Sequence, residues 1–221
     1  LVWTATLAES RKDFEALMQV IDEFSGRLLE SLKETADDYE IVFVVEGEDK
    51  TMKKLREFSS VNPNVKLDYN QKRLGLGKAM KRGLSLVSHR TDYVLTMDAD
   101  LNHRPEEIGR LLEAAADADI IVGRRSLSHG MVGELPLFRR VVSGTTNWLL
   151  RKAFRIPSSD VTSGFRLYSA TAVESIRDEL TSTNFEVTAE LLIRARKKGL
   201  TIADVPITFT PRPRGNSKLS L

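Results

Sequence analysis

The sequence YVLTMDADLNHRPEE occupies residues 93–107 and contains, in order, a strand pattern, a pair of carboxylates and a helix start. Tyr93–Met97 is a short apolar run, which predicts a buried strand. Asp98 and Asp100 follow it directly. Pro105, with two glutamates behind it, predicts a helix start, because proline lacks only a donor that would be unpaired there and acids favour the positive helix end. The stretch therefore predicts a strand that ends in paired carboxylates and leads into a helix.

The same alternation of strand and helix patterns extends on both sides of this stretch. Further strands are predicted at Val2–Thr6, Tyr39–Val45, Val65–Leu67 and Asp119–Gly123. Apolar residues at helical spacing follow each of the early strands, as in Phe14, Leu17, Met18 and Ile21, in Met52, Leu55 and Phe58, and in Ala79, Met80, Leu84 and Val87. This alternation is typical of an α/β fold with a mostly parallel sheet flanked by helices.

The chain beyond Gly123 is less regular. A loop is predicted over Gly130–Pro136, followed by a helix over Phe138–Phe154 with arginines on one side and Val141, Val142, Trp148 and Leu149 on the other. Strands are predicted at Ser163–Tyr168 and Thr201–Val205, and a helix at Val187–Lys198. We therefore predict one domain over residues 1–210, with halves 1–123 and 124–210, followed by a mobile basic segment at 211–221.

The composition is that of an ordinary folded protein. Of 221 residues, 41% are hydrophobic and 29% are charged, which argues against a disordered chain. There is no cysteine, so disulfides and thiolate metal sites are excluded. No apolar run reaches the roughly 18–20 residues that cross a bilayer. We expect a cytoplasmic protein, peripheral at the cytosolic face of a membrane, with no nucleic-acid partner.

The charges are distributed unevenly, although the formal net charge is only +2. Acids dominate from Glu9 to Asp49. Cations cluster later in the chain, at Arg124, Arg125, Arg139, Arg140, Arg151, Lys152 and Arg155, and again at Arg212, Arg214 and Lys218. Clustered cations attract phosphates, either on a ligand or on a membrane surface, and a solvated basic face is the alternative interpretation.

Asp98 and Asp100 are the candidate centre of the chemistry. In an open α/β sheet, ligands bind beyond the carboxyl ends of the strands, where these carboxylates are predicted to lie. Two carboxylates separated by one residue repel each other unless a cation lies between them, and hard oxygen ligands suit Mg²⁺ or Mn²⁺. Such an ion could stabilise a departing diphosphate. A solvated turn at a strand end is the alternative.

Residues 98–106 resemble the D-A-D-L-x-H-x-P-E string of the inverting GT-A glycosyltransferases of family 2, and among them the dolichol- or polyprenol-phosphate mannose synthases. The resemblance implies a GT-A, Rossmann-like fold. It also implies that Asp98, Asp100 and Asn102 are metal ligands and that Ala99 lies at the nucleotide sugar. His103 is interpreted as a local hydrogen-bonding group rather than as a ligand.

The segment from Arg73 to Ala79 resembles the family's R-x-G-L-G-x-A. Two glycines ahead of a helix allow the backbone to approach a ligand closely, and a helix start favours anions. The resemblance implies that the nucleotide sugar is bound by Arg73, Gly75, Gly77 and Lys78.

Further matches cover most of the remaining chain. Residues 122–125 look like V-G-S-R, residues 139–143 like R-R-x-x-S, residues 160–166 like D-x-T-S-G-F-R and residues 212–218 like R-x-x-G-x-S-K. They imply an acceptor-phosphate site formed by Arg125, Arg139, Ser143, Arg212, Ser217 and Lys218. Arg125 would also join Asp98 and Asp100 as a catalytic residue. Supporting roles fall to Asp160, Ser163, Gly164, Arg166 and Glu190, and a helix-surface role is the alternative for Glu190.

The resemblance is weakest in the nucleotide pocket. The family usually begins with P-T-Y-N-E, and of this pattern only Thr6 and Glu9 remain. Family members also carry an aspartate pair after the second strand that reads base and ribose, and Glu46 is the best substitute here. The resemblance thus implies a nucleotide-sugar site with Thr6, Glu9 and Glu46, and the donor can be GDP-linked or UDP-linked.

The activity implied by the resemblance is inverting transfer of a hexose from a nucleotide-diphosphate sugar to a polyprenyl or dolichyl phosphate, with mannose favoured and glucose as the alternative sugar. A phosphate monoester has a second pKa of about 6 and is already largely ionised at neutral pH, so no dedicated base is required. Two alternatives stay open: a family 2 transferase acting on a saccharide or protein hydroxyl, and a non-catalytic domain that binds lipid phosphates or a partner.

Overall fold

The structure is a computed structural model that describes residues 2–5, 11–36, 38–46, 51–98, 102–126, 145 and 148–208. The first half alternates strands and helices as predicted: β1 (Val2–Ala5), α1 (Arg11–Thr35), β2 (Ile41–Glu46), α2 (Thr51–Val61), β3 (Val65–Asn70), α3 (Leu76–Ser85) and β4 (Tyr93–Met97). In α1, Phe24, Leu28 and Leu32 are buried at intervals of one helical turn, so this face packs on the sheet.

The predicted helix start at Pro105 is confirmed. Pro105–Glu107 forms a 3₁₀ turn that continues as α4 (Ile108–Glu113). Glu106 forms a two-point ion pair with Arg27 of α1, with nitrogen–oxygen distances of 2.6 and 2.8 Å. The buried carboxylate of Glu107 accepts hydrogen bonds from the Thr208 amide at 2.9 and 3.1 Å. The two acids therefore connect α4 to a neighbouring helix and to the last strand.

The second half continues with β5 (Ile120–Ser126), a helix α5 over residues 148–154, β6 (Arg166–Ser169), α6 (Ala170–Ile176), α7 (Val187–Lys197) and β7 (Ile202–Thr208). The sequence did not predict α6. Ser169 caps this short helix by accepting a hydrogen bond from the Ala172 amide at 3.2 Å. Strand β6 begins at Arg166, later than predicted, because the Ser163 hydroxyl instead donates to the Gly123 carbonyl at 2.7 Å.

The strands form one sheet in the order β3-β2-β1-β4-β6-β5-β7. β6 is antiparallel to both of its neighbours, and the other strand pairs are parallel, so the predicted mostly parallel sheet is confirmed. The interpretation of β4 and β5 as a continuous βαβ series is incomplete, since β6 lies between them. All strands except β6 end at the same edge of the sheet, and the candidate site lies at this edge.

Helices cover both faces of the sheet. One core contains Phe24 from α1, Leu55 from α2 and Leu111 from α4. The other contains Leu84 and Leu191 from α3 and α7, with Leu150 of α5 packed against it. The predicted separation of arginines from Trp148 on this helix is wrong, because Trp148 lies beside the cations at positions 151, 152 and 155 on an exposed face.

Candidate active site

Several polar residues meet at the carboxyl edge of the sheet. Asp98 directly follows β4, Glu46 is the last residue of β2, and Arg125 lies near the end of β5. These strands run in the same direction, because β6 is antiparallel to both β4 and β5. The topology therefore places Asp98, Glu46 and Arg125, one residue each from the predicted metal, nucleotide and acceptor sites, at one edge, where α/β folds bind ligands.

Asp98 is held at this edge by its backbone and by a close neighbour. Its amide donates to Nδ1 of His103 at 3.4 Å, and its side chain is 47% exposed. Opposite lies Gly164, whose carbonyl accepts a hydrogen bond from Thr96 Oγ1 at 2.8 Å. A Cβ on Gly164 would lie 3.2 Å from Asp98 Oδ2. The absence of a side chain at this glycine thus leaves room for the carboxylate.

His103 is buried and stacks on Phe165, with ring centroids 5.3 Å apart and an interplanar angle of 30°. Nδ1 of the ring accepts the hydrogen bond from the Asp98 amide. His103 therefore binds the backbone amide of Asp98, which agrees with its interpretation as a local hydrogen-bonding group.

Arg125 and Asp160 form a two-point ion pair beside this edge. Arg125 Nε and Nη2 donate to the two carboxylate oxygens of Asp160 at 2.6 Å each, and the Arg125 amide donates to Oδ2 at 3.2 Å. Nη2 also donates to Thr162 Oγ1 at 2.6 Å. The fork of the guanidinium is thus already engaged within the protein, and Thr162 joins the group without having been singled out in the sequence.

The pKa values of the pair move apart. Burial works to lower the pKa of Arg125, but the hydrogen bonds and charge of Asp160, with the charge of Asp98, outweigh burial and raise it. Burial works to raise the pKa of Asp160, and the hydrogen bonds and charge of Arg125 overcome this effect and lower it. Both groups are therefore charged at neutral pH, and Arg125 presents a permanent positive charge within electrostatic range of Asp98.

The other residues of the segment 160–166 build the wall behind the site. Ser163 is fully buried, and its hydroxyl joins the segment to the Gly123 carbonyl of β5. Arg166 is also buried and donates to the Thr188 carbonyl at 2.6 Å and to the Val161 carbonyl at 2.7 Å. These contacts hold the segment against β5 and the start of α7, which is a supporting role.

Glu46 forms hydrogen bonds with the loop that precedes α3. Its buried carboxylate accepts hydrogen bonds through Oε2 from the Leu74 amide at 3.0 Å and the Gly75 amide at 3.2 Å. Oε1 is also buried and makes no hydrogen bond to any residue within the described ranges. Glu46 therefore binds the glycine segment itself, and its predicted contact with the nucleotide stays a prediction.

The two glycines of this segment approach the protein's own backbone. Gly75 has a φ of 90°, and a Cβ there would lie 2.6 Å from Asn184 Oδ1. A Cβ on Gly77 would overlap the Ser182 carbonyl, and the Gly77 amide donates to the Thr183 carbonyl at 2.9 Å. The close approach that the glycines allow is thus to residues 182–184. Arg73 and Lys78 are exposed.

Glu190 of α7 organises the segment that these glycines contact. Its carboxylate accepts hydrogen bonds from the amides of Thr181 and Ser182, from Thr181 Oγ1 and from Arg194. Burial works to raise the pKa of Glu190, but the hydrogen bonds from Ser182, Thr181 and Arg194 outweigh it and lower the pKa to about 2. Ser182 and Thr183 were not predicted as site residues. In the sequence they are marked only by a run of polar residues before α7.

The remaining predicted site residues lie outside the part of the chain that the structure describes. They are Thr6, Glu9, Ala99, Asp100, Arg139, Ser143, Arg212, Ser217 and Lys218. Their predicted roles stay predictions.

Two of the three predicted metal ligands, Asp98 and Asn102, lie in the part of the chain that the structure describes. Asp98 carries carboxylate oxygens and Asn102 carries an amide oxygen, which are the hard donors that Mg²⁺ and Mn²⁺ prefer. Among the described residues, no group of three or more His, Asp or Glu side chains is arranged to hold a metal ion. The predicted set includes Asp100, which lies outside those residues, and the donor chemistry of the rest is compatible with a divalent cation.

Comparison with known proteins assigns the family. The sequence profile of glycosyl transferase family 2 matches residues 23–177, which includes β2 to β6 and the Asp98 edge. The chain belongs to glycosyl transferase family 2. The family 2 resemblance predicted from the sequence motifs is therefore confirmed.

Curated proteins of similar sequence carry related names. An undecaprenyl-phosphate mannosyltransferase of Micrococcus luteus is 32% identical over 161 residues, which are 72% of this chain and 66% of that protein. A polyprenol monophosphomannose synthase of Mycolicibacterium smegmatis is 36% identical over 168 residues, covering 74% and 63%. A dolichol-phosphate mannosyltransferase of Pyrococcus furiosus is 36% identical over 188 residues, covering 82% and 51%. The family 2 chain thus spans between half and two thirds of these relatives.

Solved structures confirm the fold class. Glucosyl-3-phosphoglycerate synthase from Mycobacterium tuberculosis, in complex with Mn²⁺, uridine diphosphate and phosphoglyceric acid, superposes with a TM-score of 0.60 at 19% identity, covering 97% of this chain and 70% of that one. The family 2 chain therefore has the predicted GT-A fold. In the described ranges, no helix combines the length and the apolar character needed to cross a bilayer.

Proposed function

We propose that this chain is an inverting glycosyltransferase that moves a hexose from a nucleotide-diphosphate sugar to a polyprenyl phosphate. An oxygen of the acceptor phosphate attacks the anomeric carbon, the bond from that carbon to the diphosphate oxygen breaks, and the nucleoside diphosphate leaves. Mannose is favoured and glucose is the alternative sugar, because the relatives named above are mannosyltransferases acting on prenyl phosphates.

The observation that carries the proposal is the position of Asp98 in a family 2 chain. Its carboxylate lies at the carboxyl end of β4, backed by buried His103, faced by Gly164 and within electrostatic range of Arg125. A negative group that is half exposed at a ligand-binding edge, beside a fixed positive group, suits a reaction between two phosphorylated substrates.

Asp98, Asp100 and Asn102 would hold Mg²⁺ or Mn²⁺. A bound divalent cation supplies positive charge that neutralises the diphosphate as it leaves. The GT-A neighbour described above was crystallised with Mn²⁺ and uridine diphosphate, which supports the use of a divalent cation. The protein's part is to keep Asp98 in place through the His103 and Gly164 contacts.

The two substrates would bind on either side of Asp98. The nucleotide sugar, GDP-linked or UDP-linked, is assigned to the half formed by residues 1–123, around Glu46 and the glycine segment. The acceptor phosphate is assigned to the half formed by residues 124–210 and to the basic segment 211–221. Arg125 is oriented by Asp160, and its charge would attract the acceptor, with Arg139 and Arg212 contributing bidentate contacts.

A membrane surface is the expected place of reaction, because a polyprenyl chain is confined to lipid. We place the chain at the cytosolic face as a peripheral protein. The net positive charge of residues 124–155 and 212–218 supports this location, since the cytosolic leaflet is anionic.

A transfer assay tests the proposal. The purified chain is incubated with Mn²⁺ or Mg²⁺, GDP-mannose or UDP-glucose, and either a polyprenyl phosphate or free glycans. Labelled lipid phosphate that disappears with Asp100→Ala is the expected result. Exclusive labelling of glycans would replace the lipid-phosphate acceptor by a saccharide hydroxyl. Calorimetry that detects no metal-dependent binding of GDP or UDP would favour a non-catalytic domain.

A further inference from the structure

Helix α5, residues 148–154, exposes large apolar side chains to solvent. Trp148 and Leu149 are each 58% exposed and Phe154 is 40% exposed. Leu150, between them in the sequence, packs against the core shared by α3 and α7. The helix is therefore attached to the protein on one side and presents its remaining surface outward.

Cations surround the exposed tryptophan. Arg151, Lys152 and Arg155 lie at helical spacing from Trp148, and together these side chains line a surface cavity of about 370 Å³. Within the described ranges, the three cations form no ion pair with an acid. The sequence contains no acidic residue between Glu134 and Asp160. The face is thus both apolar and strongly positive.

Arg155 has a backbone conformation that arginine does not favour. Its φ is 52°, in the left-handed region, and the following amide of Ile156 donates to the Arg151 carbonyl at 3.1 Å, which closes the end of the helix. Glycine is the usual residue at this position, because a Cβ is strained there. Arg155 therefore occupies a strained position, and such positions cluster at functional sites.

We infer that this face of α5 docks on an anionic lipid membrane. Aromatic and aliphatic side chains flanked by Lys and Arg are typical of helices that lie in the membrane interface, where the apolar groups enter the lipid and the cations contact phosphates. A second copy of the chain would bring like charges together. The inference rests on the proposed function, since the proposed acceptor lies in the membrane.

Vesicle sedimentation tests the docking surface without donor or acceptor. The full chain is mixed with phosphatidylcholine vesicles that contain or lack phosphatidylglycerol. Binding should require phosphatidylglycerol and weaken as salt is added, because screening shortens the range of the attraction. Tryptophan emission should shift to shorter wavelengths on binding, and Trp148→Phe should abolish the shift.

Arg155→Gly separates docking from folding. The variant should bind phosphatidylglycerol vesicles about fivefold more weakly, as expected for one cation near an anionic surface. Its thermal midpoint should be equal to the parent's or higher, since glycine relieves the left-handed strain. The control is Lys53→Gln with Arg56→Gln on α2, which covers the opposite face of the sheet and should bind like the parent.

Equal vesicle binding by the parent and by Arg155→Gly, Arg151→Gln and Lys152→Gln would overturn the inference, as would a parent that does not bind. A dimer that Trp148→Ser dissociates, without vesicle binding, would assign the face to a second copy.

Transfer to a short, water-soluble prenyl phosphate should proceed equally in the parent and Arg155→Gly. A parent that binds vesicles but transfers nothing would refute the proposed function and leave the docking surface standing.

Discussion

The Gly77 amide donates a hydrogen bond to the Thr183 carbonyl at 2.9 Å, so the first turn of α3 is joined to the segment that leads into α7. A Cβ on Gly77 would lie 2.6 Å from the Ser182 carbonyl carbon, closer than real side chains approach. Since both partners are backbone, neither can rotate away. The glycine is required by the fold, before any ligand is considered.

Gly77→Ala should therefore destabilise the protein. Overpacking of this kind costs about 1–3 kcal/mol, and the shift of the segment 73–78 should also weaken binding of the nucleotide. Urea unfolding measures the first effect and calorimetry with GDP or UDP the second. Gly26→Ala is the matched control, because it lies exposed in α1 with open space around it and should stabilise the helix by about 0.5–1 kcal/mol. Equal stability of the two variants would contradict this account.

Glu190 makes the stability of the same region dependent on pH. Its pKa is lowered from 4.5 to about 2 in the folded protein by the hydrogen bonds that it accepts from Ser182 and Thr181. A group whose pKa is depressed by folding stabilises the protein above its unfolded pKa. Its contribution should therefore be complete above about pH 4.5 and disappear as the pH falls toward 2.

Glu190→Gln should be less stable than the parent at pH 7, and the difference in urea midpoint should shrink as the pH falls from 4.5 toward 2. Other carboxylates titrate in the same range, so only the difference between variant and parent isolates Glu190. Glu113→Gln, which changes an exposed carboxylate at the end of α4, is the control. A difference that does not vary with pH would show that the ionised form of Glu190 is unimportant.

Much of the site's location follows from sequence, because parallel strands bring their carboxyl ends to one edge whatever the detailed packing. This places Asp98, Glu46 and Arg125 together once the strands are recognised. The insertion of β6 between β4 and β5 does not follow, since strand neighbours depend on contacts distant in sequence. The pairing of Gly77 with Ser182 and Thr183 is hidden for the same reason. A glycine pattern indicates close approach but not the partner.

Asp160 and Arg125 should behave as one unit. Asp160→Asn leaves the guanidinium of Arg125 largely desolvated without its counter-charge, so the free energy of unfolding should fall by about 3 kcal/mol. The double variant Arg125→Gln with Asp160→Asn should lose less than the sum of the single variants. Urea unfolding in a double-mutant cycle measures this coupling.

Arg124→Gln provides the comparison for this cycle. Arg124 lies 3.9 Å from Asp204 and is more exposed than Arg125, and loss of such a surface pair costs at most about 1 kcal/mol. If the effects of Arg125→Gln and Asp160→Asn were additive, the two-point ion pair would not contribute coupling energy, and the positive charge near Asp98 would have to be oriented by another contact.

Gly164→Ala tests whether the space left by Gly164 positions Asp98, the predicted metal ligand. The new methyl would lie 3.2 Å from Asp98 Oδ2, slightly closer than the 3.4 Å at which ordinary contact begins, so the carboxylate must shift by a few tenths of an ångström. Because Asp98 is half exposed, it can move at little cost in stability. The affinity for Mn²⁺ in the presence of nucleotide should nevertheless fall about tenfold or more, as when a group that orients a metal ligand is changed.

Asp98→Asn should weaken Mn²⁺ binding further, and its thermal midpoint should be equal to that of the parent. Calorimetric titration measures both variants, and a Gly164→Ala protein that loses stability but binds Mn²⁺ like the parent would show that this glycine serves packing alone.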